Sequence, residues 1–459
     1  MDKYDRQLRL WDRRGQELLT EARICIVGQS SLGQEVLKNL LLPGASNFTV
    51  ITEKMQSDQS FFEGGSLMRL NPRASIETVC WDTNQMANKH FWEKFDLVVI
   101  VTTYFKILEV LSKVKLPRSL ICCTHEFSGY VRFISPHPHF VIESHPQHTT
   151  PDLRIMNPWT ELKYYLESFD FTLEEDDFSD VPYIVIIYQA LLSVKKRGDP
   201  VSRDAIKEEI RGMRALVHEG TTGANLYEAE RFAHLATAQS EKVPDNLVRC
   251  FELLDQAPEN GFDQTVQILL KSLKIYLGSD YSDKQLPLSG SIPDMISSTE
   301  NYNNLKDLYQ KKAKEDVKYF SSIVAKSRVH IPDTVINTFC KNTKNLRVVL
   351  PSRSLCFRPQ ATQILSQQQD APTDLVKLLT DLINKQFKIS DADSKNKMDT
   401  EKQSNSEMKS ESKKFYPVIS LIAGIAAQES IKILTHQFVP IENTFVYNGI
   451  SNQSWTLKL

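Results

Sequence analysis

The chain has 459 residues, enough for two or three domains that each bury a core. Its 55 Lys and Arg nearly balance 57 Asp and Glu, for a formal charge of -2, so it lacks the basic footprint of a nucleic-acid binder. Seven cysteines, at positions 25, 80, 122, 123, 250, 340 and 356, form no C-x-x-C pair and read as reduced thiols of an intracellular protein.

The opening "MDKYDRQLRLWDRRGQ" is charged from its second residue and has no apolar run of the kind that makes a secretory signal. It precedes the first strand and combines Tyr4, Arg6, Arg9 and Trp11, residue types that favour interfaces. On spacing alone, Arg6 and Arg9 read as solvated charges.

From residue 21 to about 145, the β-rich runs "RICIVG", "NFTVIT", "ASIETV", "DLVVIVTT" and "SLICCT" alternate with helical patterns, which predicts a βαβ sheet. In the first helix Leu32, Val36, Leu37, Leu40 and Leu41 form one apolar stripe. The turn before that helix carries a damaged G-x-G-x-x-G pattern: Gly28 and Gly33 keep the outer places and Ser30 takes the middle one. Glycine in the middle lets backbone N–H groups close on a phosphate, and a serine puts a Cβ and a hydroxyl in that path. The second strand ends "VITEK", with Thr52 at the tip and Glu53 after it, where an acid would hold ribose hydroxyls. Taken alone, the defective motif favours a turn kept for packing.

Cys122 and Cys123 end an apolar run and read as unreactive core thiols; Cys250 and Cys340 follow no signal that would lower a pKa. His137, His139, His145 and His148 crowd one stretch, but prolines interleave them and the spacing is not that of a zinc site, so a loop with solvated histidines is expected. The longest apolar runs, 183–192 and 418–427, fall short of a membrane span.

Residues from about 158 to 385 show 3.6-residue periodicity with charged faces. Residues 390–414 contain no aromatic residue and are expected to form a mobile, charged linker. The last 45 residues return to the first style, with one apolar helix and the strands "NTFVYNG" and "SWTLKL"; Ala423, Gly424, Ala426 and Ala427 are expected to let that helix press on a sheet. The predicted organisation is therefore 1–157, 158–389 helical, 390–414 linker and 415–459, with the helical region interrupting one Rossmann-like α/β domain.

Several stretches in order resemble one family: "YDRQLRLW", "LKNLLLPGASNFTV", "GYVRFI" with "VIESHP" and "DLR", "PYIVII", "GSIPDMIS" with "YNNLKDLYQKKAKED", "LRVV" and "AAQESIKILTHQFVPIENTFVYNG". The family is the regulatory subunit of the heterodimeric activating enzyme for the Rub-type modifier of the neddylation pathway. The resemblance implies a ThiF/MoeB-like adenylation fold without catalysis of its own, and an obligate catalytic partner that binds ATP and Mg. It implies that the helical insert is the counterpart of the partner's catalytic-cysteine domain, without the cysteine. Active relatives have an aspartate where Thr52 stands and a magnesium aspartate near Thr102 and Thr103; a lysine-bearing segment after residues 60–62 is missing. The helical region is also shorter than is usual for this subunit.

For Arg6 the resemblance reverses the reading from spacing, because it implies that this arginine reaches across to the ATP of the active half. Gly28, Ser30, Gly33 and Thr52 would be a vestigial nucleotide turn, with no catalytic residue and no metal in this chain. The implied partners are the catalytic subunit, the modifier and, transiently, its conjugating enzyme, with neither nucleic acid nor membrane, in cytoplasm and nucleus. Three alternatives stand beside this reading: the regulatory subunit of a SUMO-type enzyme, a scaffold without ATP contact, and a stand-alone NAD oxidoreductase. The last would need an acid on the ribose and a hydride-transfer constellation, and the sequence displays neither.

Overall fold

The computed structural model describes residues 3–52, 67, 69–102, 105–147, 150–169, 180–215, 223–237, 243–256, 263–352 and 415–458. Glu53, residues 60–62, Thr103, His148, Cys356, the helical pattern at 374–387 and the linker at 390–414 lie outside the described residues.

Chain contacts divide the protein into two units, one of residues 1–144 and 347–459 and one of residues 145–346. Among the described residues the helical unit runs from His145 to Leu346. Strand β8 (Arg347–Val349) pairs with β7 (His139–Val141) and belongs to the first unit.

The first unit is built on β1 (Arg23–Val27), β2 (Asn47–Thr52), β3 (Ser75–Cys80), β4 (Leu97–Ile100), β5 (Ser119–His125), β6 (Ser128–Ile134), β9 (Thr444–Asn448) and β10 (Gln453–Leu457). Their order across the sheet is β10-β9-β6-β5-β4-β1-β2-β3. Strands β3, β2, β1, β4 and β5 run parallel, and β6, β9 and β10 continue antiparallel. This is a Rossmann-like α/β sheet completed by the C-terminal hairpin. Because β1 is flanked by β2 and β4, the strand order reverses beside it, and the loops after β1 and β4 meet at that switch point.

Alternation along β1 sends Ile24 and Ile26 to one face and Cys25 and Val27 to the other. The first face is covered by helix α1 (Asp5–Glu21), helix α2 (Ser31–Leu41) and the C-terminal helix (Tyr416–Thr435). Leu32, Val36, Leu37, Leu40 and Leu41 of α2 are all buried there. The C-terminal helix is longer than its apolar run suggested: it has 20 residues and, by length and composition alone, is apolar enough to cross a membrane. It packs as a core helix, with Val418, Ile419, Ile422, Ala423, Ala426 and Ala427 buried against the sheet. Gly424 faces outward, and the close approach is permitted instead by Gly129 of β6, where a β-carbon would lie 2.6 Å from Ile422 Cγ1. Tyr416 donates to Glu35 Oε1 at 2.6 Å and ties this helix to α2.

The histidine expectation is corrected in part. His145 is exposed, but His139 is buried in β7, edge-on to Phe133 and stacked on His436 with ring centroids 4.9 Å apart. Burial, with His436 and Arg118 beside it, holds its pKa well below the ordinary value, so the ring is neutral. Pairing with β8 turned what looked like a proline-rich loop into a strand.

The helical unit has its own core. Helix α3 (Tyr183–Arg197) buries Tyr183 to Tyr188 as a continuous run, and the long helix α4 (Thr299–Val324) adds Leu305 and Tyr309 to the same cluster. A helix apolar on every side is one surrounded by others.

Candidate functional site

The glycine turn follows β1 as expected. Gly28 has φ +113, and a β-carbon on it would come within 2.8 Å of Thr102 N and 2.9 Å of Thr102 Cβ. Its glycine is therefore required both by the left-handed backbone and by the packing of the two switch-point loops on each other. Gly33 serves helix–strand packing, since a β-carbon there would meet Val101 Cγ2 at 3.1 Å and Gly28 O at 3.2 Å.

Ser30 is extended and forms the N-cap of α2, its Oγ accepting from Gly33 N at 3.2 Å. The serine thereby satisfies one of the orphan N–H groups that a phosphate would otherwise take. Ser30→Ala is expected to lower the stability of the sheet unit by about 1 kcal/mol, read from urea unfolding, because it removes a cap. A loss near zero would detach the hydroxyl from that role.

Thr52 ends β2 beside Cys80, is 4 % exposed, and its carbonyl accepts from Trp81 N at 2.7 Å. Thr102 follows β4 and is 5 % exposed. At both strand tips the residue is a buried threonine rather than a carboxylate. Thr102 proves the more telling of the two, and its contact with Gly28 could not be seen in sequence.

Arg6 lies far from this turn in role. It sits in the first turns of α1, exposed, and its guanidinium makes no hydrogen bond or ion pair with a described residue. Arg9 differs, because it donates to Asp5 Oδ2 at 2.9 Å within the same helix. Of the two arginines singled out, Arg9 is paired with a carboxylate and Arg6 is paired with none among the described residues.

Five of the six described thiols are withdrawn into the core, and Cys80 is half-buried. Cys25, Cys122, Cys123, Cys250 and Cys340 are buried. Burial raises Cys25, Cys122 and Cys340, and pushes Cys123 up to about 12. Among the described residues no group of three or more His, Cys, Asp or Glu is placed to hold a metal ion.

No family model matches the chain. Curated proteins do, over their full length. The chain is 31% identical to the NEDD8-activating enzyme E1 regulatory subunit of Saccharomyces cerevisiae, across 100% of both. The chain belongs to the NEDD8-activating enzyme E1 regulatory subunit family.

Other members of that family include the proteins of Danio rerio, 28% identical across 100% of this chain and 98% of the relative, and of Xenopus laevis, 29% identical over the same shares. Among solved structures, E. coli MccB is similar over 37% of this chain and 56% of its own, at 13% identity and a TM-score of 0.26, a likeness too slight to carry weight. Membership in the NEDD8 family agrees with the expected Rub-type identity and does not favour the SUMO-type alternative.

Proposed function

We propose that this chain is the non-catalytic half of a heterodimeric activating enzyme. Its catalytic partner binds ATP and Mg, adenylates a NEDD8-type modifier and carries the thioester, and this chain lends Arg6 to the nucleotide in trans. Gly28, Ser30, Gly33 and Thr52 form a turn kept for packing. The modifier and, transiently, its conjugating enzyme are the further partners, and the assembly works in cytoplasm and nucleus.

The observation that carries this reading is the pair of buried hydroxyls, Thr52 and Thr102, at the two strand tips where a working site needs carboxylates. A hydroxyl can neither hold both ribose hydroxyls as a carboxylate does nor neutralise a magnesium ion. Ser30 adds to the reading by taking up a helix N–H. An exposed guanidinium without a partner among the described residues suits a role in another chain, because a charge that developing phosphate negativity will meet must not already be neutralised.

Native purification of the tagged chain is expected to recover a stoichiometric second subunit with intact glycines, a magnesium aspartate and a catalytic cysteine. Titration of the chain alone with ATP and Mg is expected to give no binding heat at millimolar nucleotide. A homodimer, or tight ATP binding by the lone chain, would overturn the reading.

A further inference from the structure

The stretch "WDRRGQ" begins five positions after Arg6, at Trp11. Helix α1 breaks there: Trp11 has φ -131 and ψ 16, and Asp12 has φ 56 and ψ -175. The carboxylate of Asp12 recaps the second half by accepting from Gly15 N at 2.9 Å.

Trp11 is gripped from two sides. Its indole Nε1 donates to Gln16 Oε1 at 3.0 Å, and its carbonyl accepts from Gln437 Nε2 at 2.9 Å. Gln16 Nε2 in turn donates to Pro43 O at 2.8 Å. Both amides are buried, Gln16 at 9 % and Gln437 at 2 % exposure. The fit is tight, since a β-carbon on Gly15 would stand 2.9 Å from Trp11 Cβ, and one on Gly44 would stand 2.6 Å from Gln16 Nε2 and 3.2 Å from Tyr4 Cζ. At the other end of the segment Lys3 donates to Leu70 O at 2.6 Å.

A break in an exposed helix needs no such apparatus, because water satisfies its polar groups. Burying two amides costs desolvation that only well-made bonds offset. A helical piece as short as Asp5–Leu10 also has no direction of its own, as helices of that length are marginal in isolation. The bonds to Trp11, together with the Lys3 anchor, therefore determine where the piece points, and with it where Arg6 points.

We infer that Gln16 and Gln437, acting through Trp11, are positioning residues that aim Arg6 at the partner's nucleotide. The inference rests on the role proposed above for Arg6. A guanidinium misplaced by about 1 Å loses much of its contribution, on the order of tenfold to 100-fold.

The test uses the full chain assembled with its catalytic subunit, and reads ATP–pyrophosphate exchange against ATP concentration. Gln16→Leu is expected to lower kcat/KM for ATP by roughly tenfold or more. It should leave untouched the transfer of preformed adenylate to the cysteine. The double variant with Arg6→Ala should be no slower than Arg6→Ala alone, which a merely structural defect would not produce. Trp11→Phe keeps an aromatic side chain, removes the N–H bonded to Gln16 and should repeat the effect; it decides the matter if Gln16→Leu fails to assemble. An Arg6→Ala complex with unchanged exchange would sink the role of Arg6 itself. A slow Arg6→Ala complex beside wild-type exchange in the two positioning variants, or additive losses in the double variant, would overturn the positioning inference alone.

Discussion

Arg6→Ala in the assembled heterodimer is expected to slow ATP–pyrophosphate exchange on the order of 100-fold, without loss of stability in this chain. The size follows from what one preorganised donor contributes where phosphate charge develops. The neutrality of folding follows from the surroundings of Arg6: it is exposed and bonds to no described residue, and surface changes of that kind stay within about 0.5 kcal/mol. Arg6→Lys keeps the charge but not the planar fork and should recover only part of the rate. Arg9→Ala is the control. Its bridge to Asp5 is an exposed pair within one helix, worth little to stability, and its guanidinium is already paired with a carboxylate, so exchange should stay near wild type. Equal losses in Arg6→Ala and Arg9→Ala would point to the bulk charge of the segment rather than to one guanidinium.

This contrast between neighbouring arginines marks the limit of sequence reading. The sheet was legible because its strands are short apolar runs at regular spacing, and Gly28 and Gly33 were legible because their turn requires a positive φ and close packing at fixed offsets. Ser30 was seen as an obstruction, whereas its hydroxyl also caps α2, a role that depends on backbone direction. Thr102, Gln16 and Gln437 act through contacts with residues distant in sequence, and nothing local distinguishes them from other Thr or Gln. The same holds for His139. Its sequence neighbours suggested a solvated loop, and only pairing with a strand two hundred residues later buried it.

The helical unit offers a larger test of the same point. Within "YQKKAKEDVKYF" every charge looks solvated, yet Asp316 is 0 % exposed. Its Oδ2 accepts from Leu288 N at 2.9 Å, its Oδ1 accepts from Tyr281 OH at 3.1 Å, and Lys312 Nζ lies 2.9 Å from Oδ1 one turn earlier in α4. The carboxylate thus anchors the segment around Leu288 to the long helix. Lys312 is only 15 % exposed and sits over the Tyr281 ring, 4.5 Å from its centroid. Removing the acid leaves a largely buried ammonium without its counter-charge and a buried N–H without an acceptor, which together cost about 3–5 kcal/mol. Asp316→Ala should therefore lower the thermal transition of the helical unit by roughly 10 °C or more. Asp316→Asn keeps an acceptor for Leu288 N and should lose less. Lys312→Ala helps to separate the two causes, because it leaves the backbone bond intact while removing the ion pair and the contact with the Tyr281 ring. If Asp316→Ala and Lys312→Ala shift the transition equally, the ion pair dominates; a much larger shift for Asp316→Ala makes the bond to Leu288 the principal tie. A shift near zero in Asp316→Ala would mean that solvent reaches this carboxylate and that the anchor does not hold the unit together.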